Sequence, residues 1–506
     1  MHLYFDKGGR FMRKSSRYLA RLSAVVCLVV LGLLLSIVPV IAQEDHPLAG
    51  QSIEMSILGI GGWLPSSLGA QMANDLFVPY AAENYGYDVS FTFTESPFES
   101  LFQRAAASLA TGSDEFNIII SDSQWLGALA TPGWIVDIDE LIENGLPDLG
   151  IDPQPGLDLE LYSTVARETY QIFPDGSDEI WGLPQEGDVQ VLFVRTDIVN
   201  DPDEMAAFEA ANGFAIPTTF EEWEALTMLE FETIAAFFTR PDQDLYGIAM
   251  QHSIVYDFYT MQLYPFMWSR GGEHWDPVTR TMVGTLDTPQ NAEALEWNRR
   301  MLNYTPPGAL NMGIAENVDA FTQGTVATAL QWAAVGLSMV TPELADSIAI
   351  VPPPAFDDTG ELVRVYSMGG QPWVLNAYNP PDKMRVAVDF LNWWYLPETQ
   401  LEFARRGGNP TDAATLNNPD FDSINPWNRA YKYMLETGRA RDFWHEPNYS
   451  EMLALQQEEF TAYAAGEYND ALSVLQYVAC EQQQILFDNG RTEIAPPESC
   501  EDAEPR

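Results

Sequence analysis

From residue 52 onward the chain switches repeatedly between two hydrophobic periods. Residues 52–58 alternate apolar and polar side chains, which predicts a strand with one buried face. Gly59-Ile60-Gly61-Gly62 breaks the pattern, and a helical segment is expected from about Ser67. Residues 88–94 alternate again. Pro97 suits the first turn of a helix, and Phe98, Leu101, Phe102, Ala105 and Leu109 then fall on one helical face. Gly112 is placed to end that helix, and 117–121 is a short apolar strand. Strand, helix, strand, helix, strand in such close succession predicts an α/β domain with a mainly parallel sheet.

Further along, 189–195 and 326–331 read as buried strands, with 348–351 a shorter one before Pro352-Pro353-Pro354. Thr219 with Glu222 three residues on forms a capping box for a helix over 218–226. Residues 256–275 are rich in aromatics and partly helical. Residues 315–323 are helical and end at Gly324, and 383–395 and 450–465 are also helical. With 506 residues, the chain exceeds one ordinary core, and two domains of roughly 200 residues are expected.

The first 42 residues differ in kind. Lys7, Arg10, Arg13, Lys14, Arg17 and Arg21 precede an uncharged run over 22–40, and Val40-Ile41-Ala42 has the form of a signal-peptidase site. Residues 1–42 therefore read as a signal peptide, which places the protein outside the cytoplasm, in the periplasm or at the cell surface. An uncleaved membrane anchor is the competing reading, because the run nearly reaches bilayer-spanning length. Val26 before Cys27 argues against lipidation. Cys480 and Cys500 are then the mature cysteines, and an even count in an oxidising compartment predicts one disulfide.

Charge narrows the partners. The formal net charge is −48, from 73 acidic and 25 basic residues. Removing 1–42 takes six bases and one acid, and makes the mature chain more negative still. Such a surface repels nucleic acid and anionic membranes.

Several short segments, in order, carry a resemblance. They are the helix over 98–110 with Gly112 and the strand after it; Trp125 and the stretch 130–139; Trp181-Gly182-Leu183-Pro184 followed by 188–197; 218–223; 321–331 around Gly324; Gly369-Gly370 with Trp373; and Gly466 with Ala471-Leu472. Together they resemble the family 1 extracellular solute-binding proteins of ABC transporters, the maltose-binding-protein-like, sugar-binding class. The resemblance implies a two-lobe, periplasmic-binding-protein-like (type II) α/β fold that closes about a hinge. Crossings are expected near 188–195, near 366–376 and just after Gly408. Lobe 1 would comprise 43–190 with 366–408, and lobe 2 would comprise 195–362 with 412–506. The implied partners are a small ligand, most readily a mono- or oligosaccharide, and the membrane permease subunits of an ABC importer. A monomer without cofactor is expected.

Sugars call for aromatic platforms and planar hydrogen-bonding groups. Asp122, Gln124 and Trp125 follow a predicted strand, in a loop where the family holds ligand. Asp122 also suits a helix cap, and Trp125 also suits a core. Glu186 and Asp188 precede the first crossing, and Gly370 and Gln371 lie at the second. Trp332 follows a buried strand. Trp63, Tyr259, Trp268 and Tyr449 complete the candidates, although helical spacing favours core packing for one of Tyr259 and Trp268.

Other classes are poorly supported. A polyamine or peptide ligand is the first alternative, since acidity and tryptophans also suit cations. An anionic ligand would need convergent bases, and Arg406 alone stands near a crossing. A secreted carbohydrate-active enzyme is more distant, because nothing selects a carboxylate pair from the surplus. His445-Glu446-Pro447 fails as a metal motif, since proline stops the helix it needs. Gly59–Gly62 lacks the third glycine of a dinucleotide fingerprint.

Overall fold

A computed structural model describes residues 46–157, 163–358, 360–436, 438–497 and 500. The expected signal peptide lies outside the described residues. Nine strands are present among them: β1 (Ser52–Ile60), β2 (Asp88–Ser96), β3 (Ile118–Ile120), β4 (Leu183–Arg195), β5 (Tyr246–Ala249), β6 (Val326–Trp332), β7 (Ile348–Val351), β8 (Tyr366–Leu375) and β9 (Ala440–Arg441).

Two sheets share one strand. The first runs β2-β1-β3-β8-β4 and the second continues from β4 to β6 and β5, with β7 also on β4. β1 is parallel to β2 and β3, as the opening pattern predicts. Beyond those three the order is mixed, with β5 parallel to β6 and β9 parallel to β8. β8 is antiparallel to β3 and β4, and β4 is antiparallel to β6 and β7. The strands that pass between lobes are not joined by local crossover helices, so the right-handed parallel unit does not constrain them.

β4 makes the passage. Its leading half pairs with β8 over Leu183–Val189, and its trailing half pairs with β6 and β7 over Gln190–Arg195. All 13 of its residues are buried. The second half is near-continuously apolar, as two-sided burial requires, and is legible as a strand. The first half, Pro184-Gln185-Glu186-Gly187-Asp188, has loop composition, yet β8 satisfies its backbone and a register shift lies between Pro184 and Glu186. Gly187 is needed there because a Cβ would collide with Thr411 and the Tyr431 hydroxyl.

A core joins distant parts of the chain on the first sheet. Ile53, Met55, Ile57, Phe77 and Phe91 pack with Trp373, Phe390, Trp393, Trp394 and Phe403. Phe390 meets Phe77 edge-on with ring centroids 5.4 Å apart, and Trp373 meets Trp394 likewise at 5.3 Å. Phe390, Trp393 and Trp394 come from the helix Pro381–Trp394, whose apolar face the sequence shows at 383–395. The helix after β1 starts earlier than the sequence suggests, at Leu64, because Pro65 sits in its first turn.

At the other end of the chain a disulfide joins Cys480, in the helix Ala471–Asp488, to Cys500. Side-chain bonds also hold the intervening tail: Gln483 Nε2 donates to the Ile494 carbonyl at 2.8 Å, and Arg491 Nε to Glu446 Oε2 at 2.6 Å. Closing a loop with a sequence separation of 20 removes about 3 kcal/mol of unfolded-chain entropy. Reduction is therefore expected to lower the melting temperature, and Cys500→Ser to lower it equally with no further response to reductant. Equal melting of oxidised and reduced protein would show that the tail bonds suffice alone.

Candidate ligand-binding cleft

The sheet strands deliver their carboxyl ends to one place. β1 ends at Ile60, β3 leads into Asp122, and β6 ends at Trp332; all three lie on the wall of a cavity of about 770 Å³. Open α/β sheets leave their crevice at such strand ends, and the volume is that of a small-molecule site. The first-sheet side contributes the Gly61–Trp63 turn, Phe98 and Asp122. The second-sheet side contributes Asp257, Phe258, Met261 and Trp332, and the crossings contribute Asp188 and Gly369–Gln371.

Of the residues singled out in the sequence, Trp63, Asp122, Gln124, Asp188, Trp332, Gly370 and Gln371 line this cavity. Glu186 stands just behind them. Its Oε1 accepts from the Trp63 indole at 2.8 Å, and Gln371 Oε1 shares the same N–H at 2.9 Å. The other four lie elsewhere. Trp125 is buried against Phe102 and donates its indole N–H to the Tyr256 hydroxyl at 2.8 Å. Tyr259 packs on His252 and Phe460. Trp268 donates to His274 Nδ1 at 3.0 Å within the core, and Tyr449 packs edge-on against Phe102. Large aromatics satisfy an N–H and fill interior volume at once, which is what Trp125 and Trp268 do here.

Asp188 is 1% exposed. Its Oδ1 accepts from the amides of Val189 at 2.9 Å and Ala334 at 3.0 Å. Ala334 follows β6, so this carboxylate ties the crossing strand to the turn that carries Trp332. Burial lifts the Asp188 carboxyl well above its usual range, against the pull of the Ala334, Val189 and Ala333 amides. Glu186, also 1% exposed, is pushed up by burial and by the neighbouring Asp188 charge. Its Oε2 has no hydrogen-bond partner among the described residues. Gly370 accommodates the close crossing: it adopts φ +106°, and a Cβ there would strike the Tyr170 hydroxyl and the Glu186 backbone.

Asp122 takes the capping role at the turn Ser123–Trp125, accepting from the Ser123 amide at 2.9 Å, and it also faces the cavity. Across the cleft, the Tyr256 hydroxyl donates to Asp122 Oδ2 at 2.5 Å, and Gln124 Nε2 donates to Asp257 Oδ2 at 2.6 Å. Burial raises the Asp122 carboxyl to about 7, with Tyr256 opposing and Asp442 adding to the rise. Asp257 is raised by burial and then by Asp122. Tyr256 holds φ +52°, a left-handed conformation unusual for a bulky residue, and there its hydroxyl reaches Asp122 and Trp125 together.

A second contact lies beside this one. His445 Nδ1 meets Asp175 Oδ1 at 2.5 Å, and Ser123 Oγ donates to Asp442 Oδ2 at 2.7 Å. Burial pulls the His445 imidazole down, but Asp175 and Asp442 more than offset this and carry it to about 10. Sequence reasoning missed Tyr256, Asp257 and Asp442. They fall in loops without periodicity, and only their partners in space give them meaning. Arg406 does not line the cavity; it pairs with Glu402 at 3.0 Å and Asp75 at 3.2 Å.

Solved structures share this architecture. A solute-binding protein of an ABC transporter from Agrobacterium radiobacter K84, in complex with ribitol, is 18% identical with a TM-score of 0.65; the match covers 87% of this chain and 100% of that one. Maltose-bound MalE3 of T. maritima is 16% identical with a TM-score of 0.66, covering 86% and 100%. A solute-binding protein of an ABC transporter from Thermotoga lettingae TMO, bound with α-D-tagatose, is 16% identical with a TM-score of 0.63, again covering 86% and 100%. At such identities the likeness is one of fold, and it establishes the two-lobe α/β class. Residues 66–401, about two-thirds of the chain, match the model of the bacterial extracellular solute-binding proteins, and the chain belongs to that family.

Proposed function

We propose that the protein captures a mono- or oligosaccharide in this cleft and presents it to the permease subunits of an ABC importer, without chemical turnover. The cavity wall carries the reading. Trp332 and Trp63 offer flat apolar faces, while Asp188, Gln371 and the glycine backbone at 369–370 offer polar groups beside them. That combination suits a molecule with apolar ring faces and hydroxyl edges. Structures of the same fold with ribitol, maltose and tagatose bound support it. In this reading residues 1–42 direct export, the mature chain begins at Gln43, and the monomer works outside the cytoplasm. Lobe 1 comprises 43–190 with 366–408 and lobe 2 comprises 195–362 with 412–506. The shared aromatic core of the first sheet, which joins residues 48–183 to 373–403, supports the first boundary.

A thermal-shift and calorimetric screen of mono- and oligosaccharides tests the reading, because a ligand that binds the native state raises its melting temperature. A saccharide that shifts melting is expected also to compact the protein in small-angle scattering. Trp63→Ala is expected to weaken that saccharide about tenfold, since stacking contributes about 1 kcal/mol beyond area, and to lower folding stability by roughly 1–3 kcal/mol, since it removes the N–H that Glu186 and Gln371 accept. Unchanged affinity would remove Trp63 from the site. Trp332→Ala should weaken binding and also destabilise by about 3–5 kcal/mol, because its ring is buried against Gly369.

The cleft also sets a pH response. Asp122, Glu186, Asp188 and Asp257 all bind protons more readily in the folded protein than in the unfolded chain. Their contribution to stability is therefore present in acid and lost as pH rises, for Asp122 between 3.8 and about 7. His445, raised from 6.5 to about 10, adds stability that is complete below 6.5 and lost as pH rises through about 10. Melting temperature is expected to be higher at pH 5 than at pH 8. A melting temperature that climbs over this interval would contradict the assignment of these groups as buried.

A further inference from the structure

We infer that Tyr170 is a positioning residue of the cleft: from behind the wall, its hydroxyl holds Asp188 and Gly369 in place and through them fixes Trp332 for the ligand. This rests on the reading of the cleft as the ligand site above. Tyr170 ends the helix Thr164–Tyr170, which Ser163 caps by accepting from the Ala166 amide at 3.2 Å. Its side chain is fully buried and is not part of the cavity wall. The hydroxyl accepts from the Asp188 amide at 3.2 Å and donates to the Gly369 carbonyl. Asp188 and Gly369 are partners in the register of β4 and β8, and both line the cavity. One side chain therefore ties the two crossing strands together at the rung where both reach the cleft.

Two further contacts carry this hold to Trp332. The Asp188 carboxyl accepts from the Ala334 amide at 3.0 Å, two residues beyond the tryptophan. The Trp332 ring lies against Gly369, 3.3 Å from where a Cβ would stand. Trp332 is thus fixed through the turn that follows it by Asp188 and at its ring by Gly369, and the Tyr170 hydroxyl bonds both of those residues. Glycines make room for Tyr170 at both ends. A Cβ on Gly182 would strike its carbonyl, and one on Gly370 would come within 2.7 Å of its hydroxyl. Burial holds the phenol well above its usual range, so it stays protonated and able to donate. Removing the oxygen takes one partner from the Asp188 amide and one from the Gly369 carbonyl, while the remaining ring still fills its space. A hydroxyl that only satisfied the interior would affect stability alone; one that positions the wall affects binding as well.

The test sets Tyr170→Phe beside Tyr264→Phe. Tyr264 is equally buried and donates to Gln456 Oε1 at 2.8 Å, but it stands in the core and off the cavity wall. Maltose, ribitol and tagatose serve as probes, since each is bound by a protein of this fold. Both variants should melt somewhat below wild type, each having lost a buried hydrogen bond. Only Tyr170→Phe is expected to weaken the tightest-binding probe, by about tenfold in calorimetric titration. Only Tyr170→Phe should also quicken hydrogen exchange, without ligand, in the peptides that contain Asp188 and Ala334. Added to Trp332→Ala, it should cost clearly less affinity than it does alone, because both changes act on one contact. Fully additive losses overturn the route through Trp332. Unchanged affinity in Tyr170→Phe overturns the positioning role, and so does equal weakening in Tyr264→Phe, which would trace the loss to general destabilisation. Failure of all three probes to bind wild type counts against the saccharide reading instead; exchange then decides the positioning, and unaltered exchange at Asp188 and Ala334 overturns it.

Discussion

The structure depends on one strand that belongs to two sheets. β4 spends its first half paired with β8 and its second half paired with β6 and β7, and all of its residues are buried. A strand buried on both faces has no freedom to slip, because a shift of one residue would turn its polar positions into the opposite layer. The two sheets are thus held in fixed register at the crossing. Gly187 and Gly370 let the crossing strands and the Tyr431 and Tyr170 hydroxyls come together at that point. This tightly packed crossing also contributes Asp188 and Gly369–Gln371 to the cleft.

Placing carboxylates in the cleft costs stability. Asp188 recovers part of the loss through backbone amides, one of them in the turn after β6, and Asp122 through Tyr256. Glu186 recovers less. A buried polar group short of partners at a cleft can be satisfied by what the cleft binds. The contacts between Asp122, Tyr256, Gln124 and Asp257 have another character: they already bridge the two sides of the cavity, so they bear on how the lobes meet as well as on what they hold.

Much of the fold was legible because its elements keep a clean period. β1, β2, the helix Phe98–Leu109 and β6 show their buried faces in the sequence. The first half of β4 was not legible, since Pro, Gly and three polar residues in a row describe a loop until a partner strand is supplied. The site was legible where a residue follows a strand end or a crossing, as for Asp122, Asp188, Trp332 and Gly370. It was not legible in the aromatic middle. Tyr259 and Trp268 are interior residues there, while nearby Tyr256, Asp257 and Phe258 reach the cleft or its edge, and aromatic richness alone does not separate the two. Tyr256 owes its place to a left-handed backbone that no propensity predicts.

The surplus of negative charge has a mechanical side. Acidic residues outnumber basic ones by 73 to 25, and they are spread along the whole chain, so both halves of the molecule are negative. Bringing the halves together raises their mutual repulsion, and dissolved ions weaken that repulsion over a Debye length of about 8 Å at physiological ionic strength. The His445–Asp175 pair, with His445 buried and Asp175 partly buried, is screened less by the same ions. Dissolved salt therefore weakens the repulsion between the two negative halves more than it weakens this pair, and the balance between them shifts with the salinity of the surroundings.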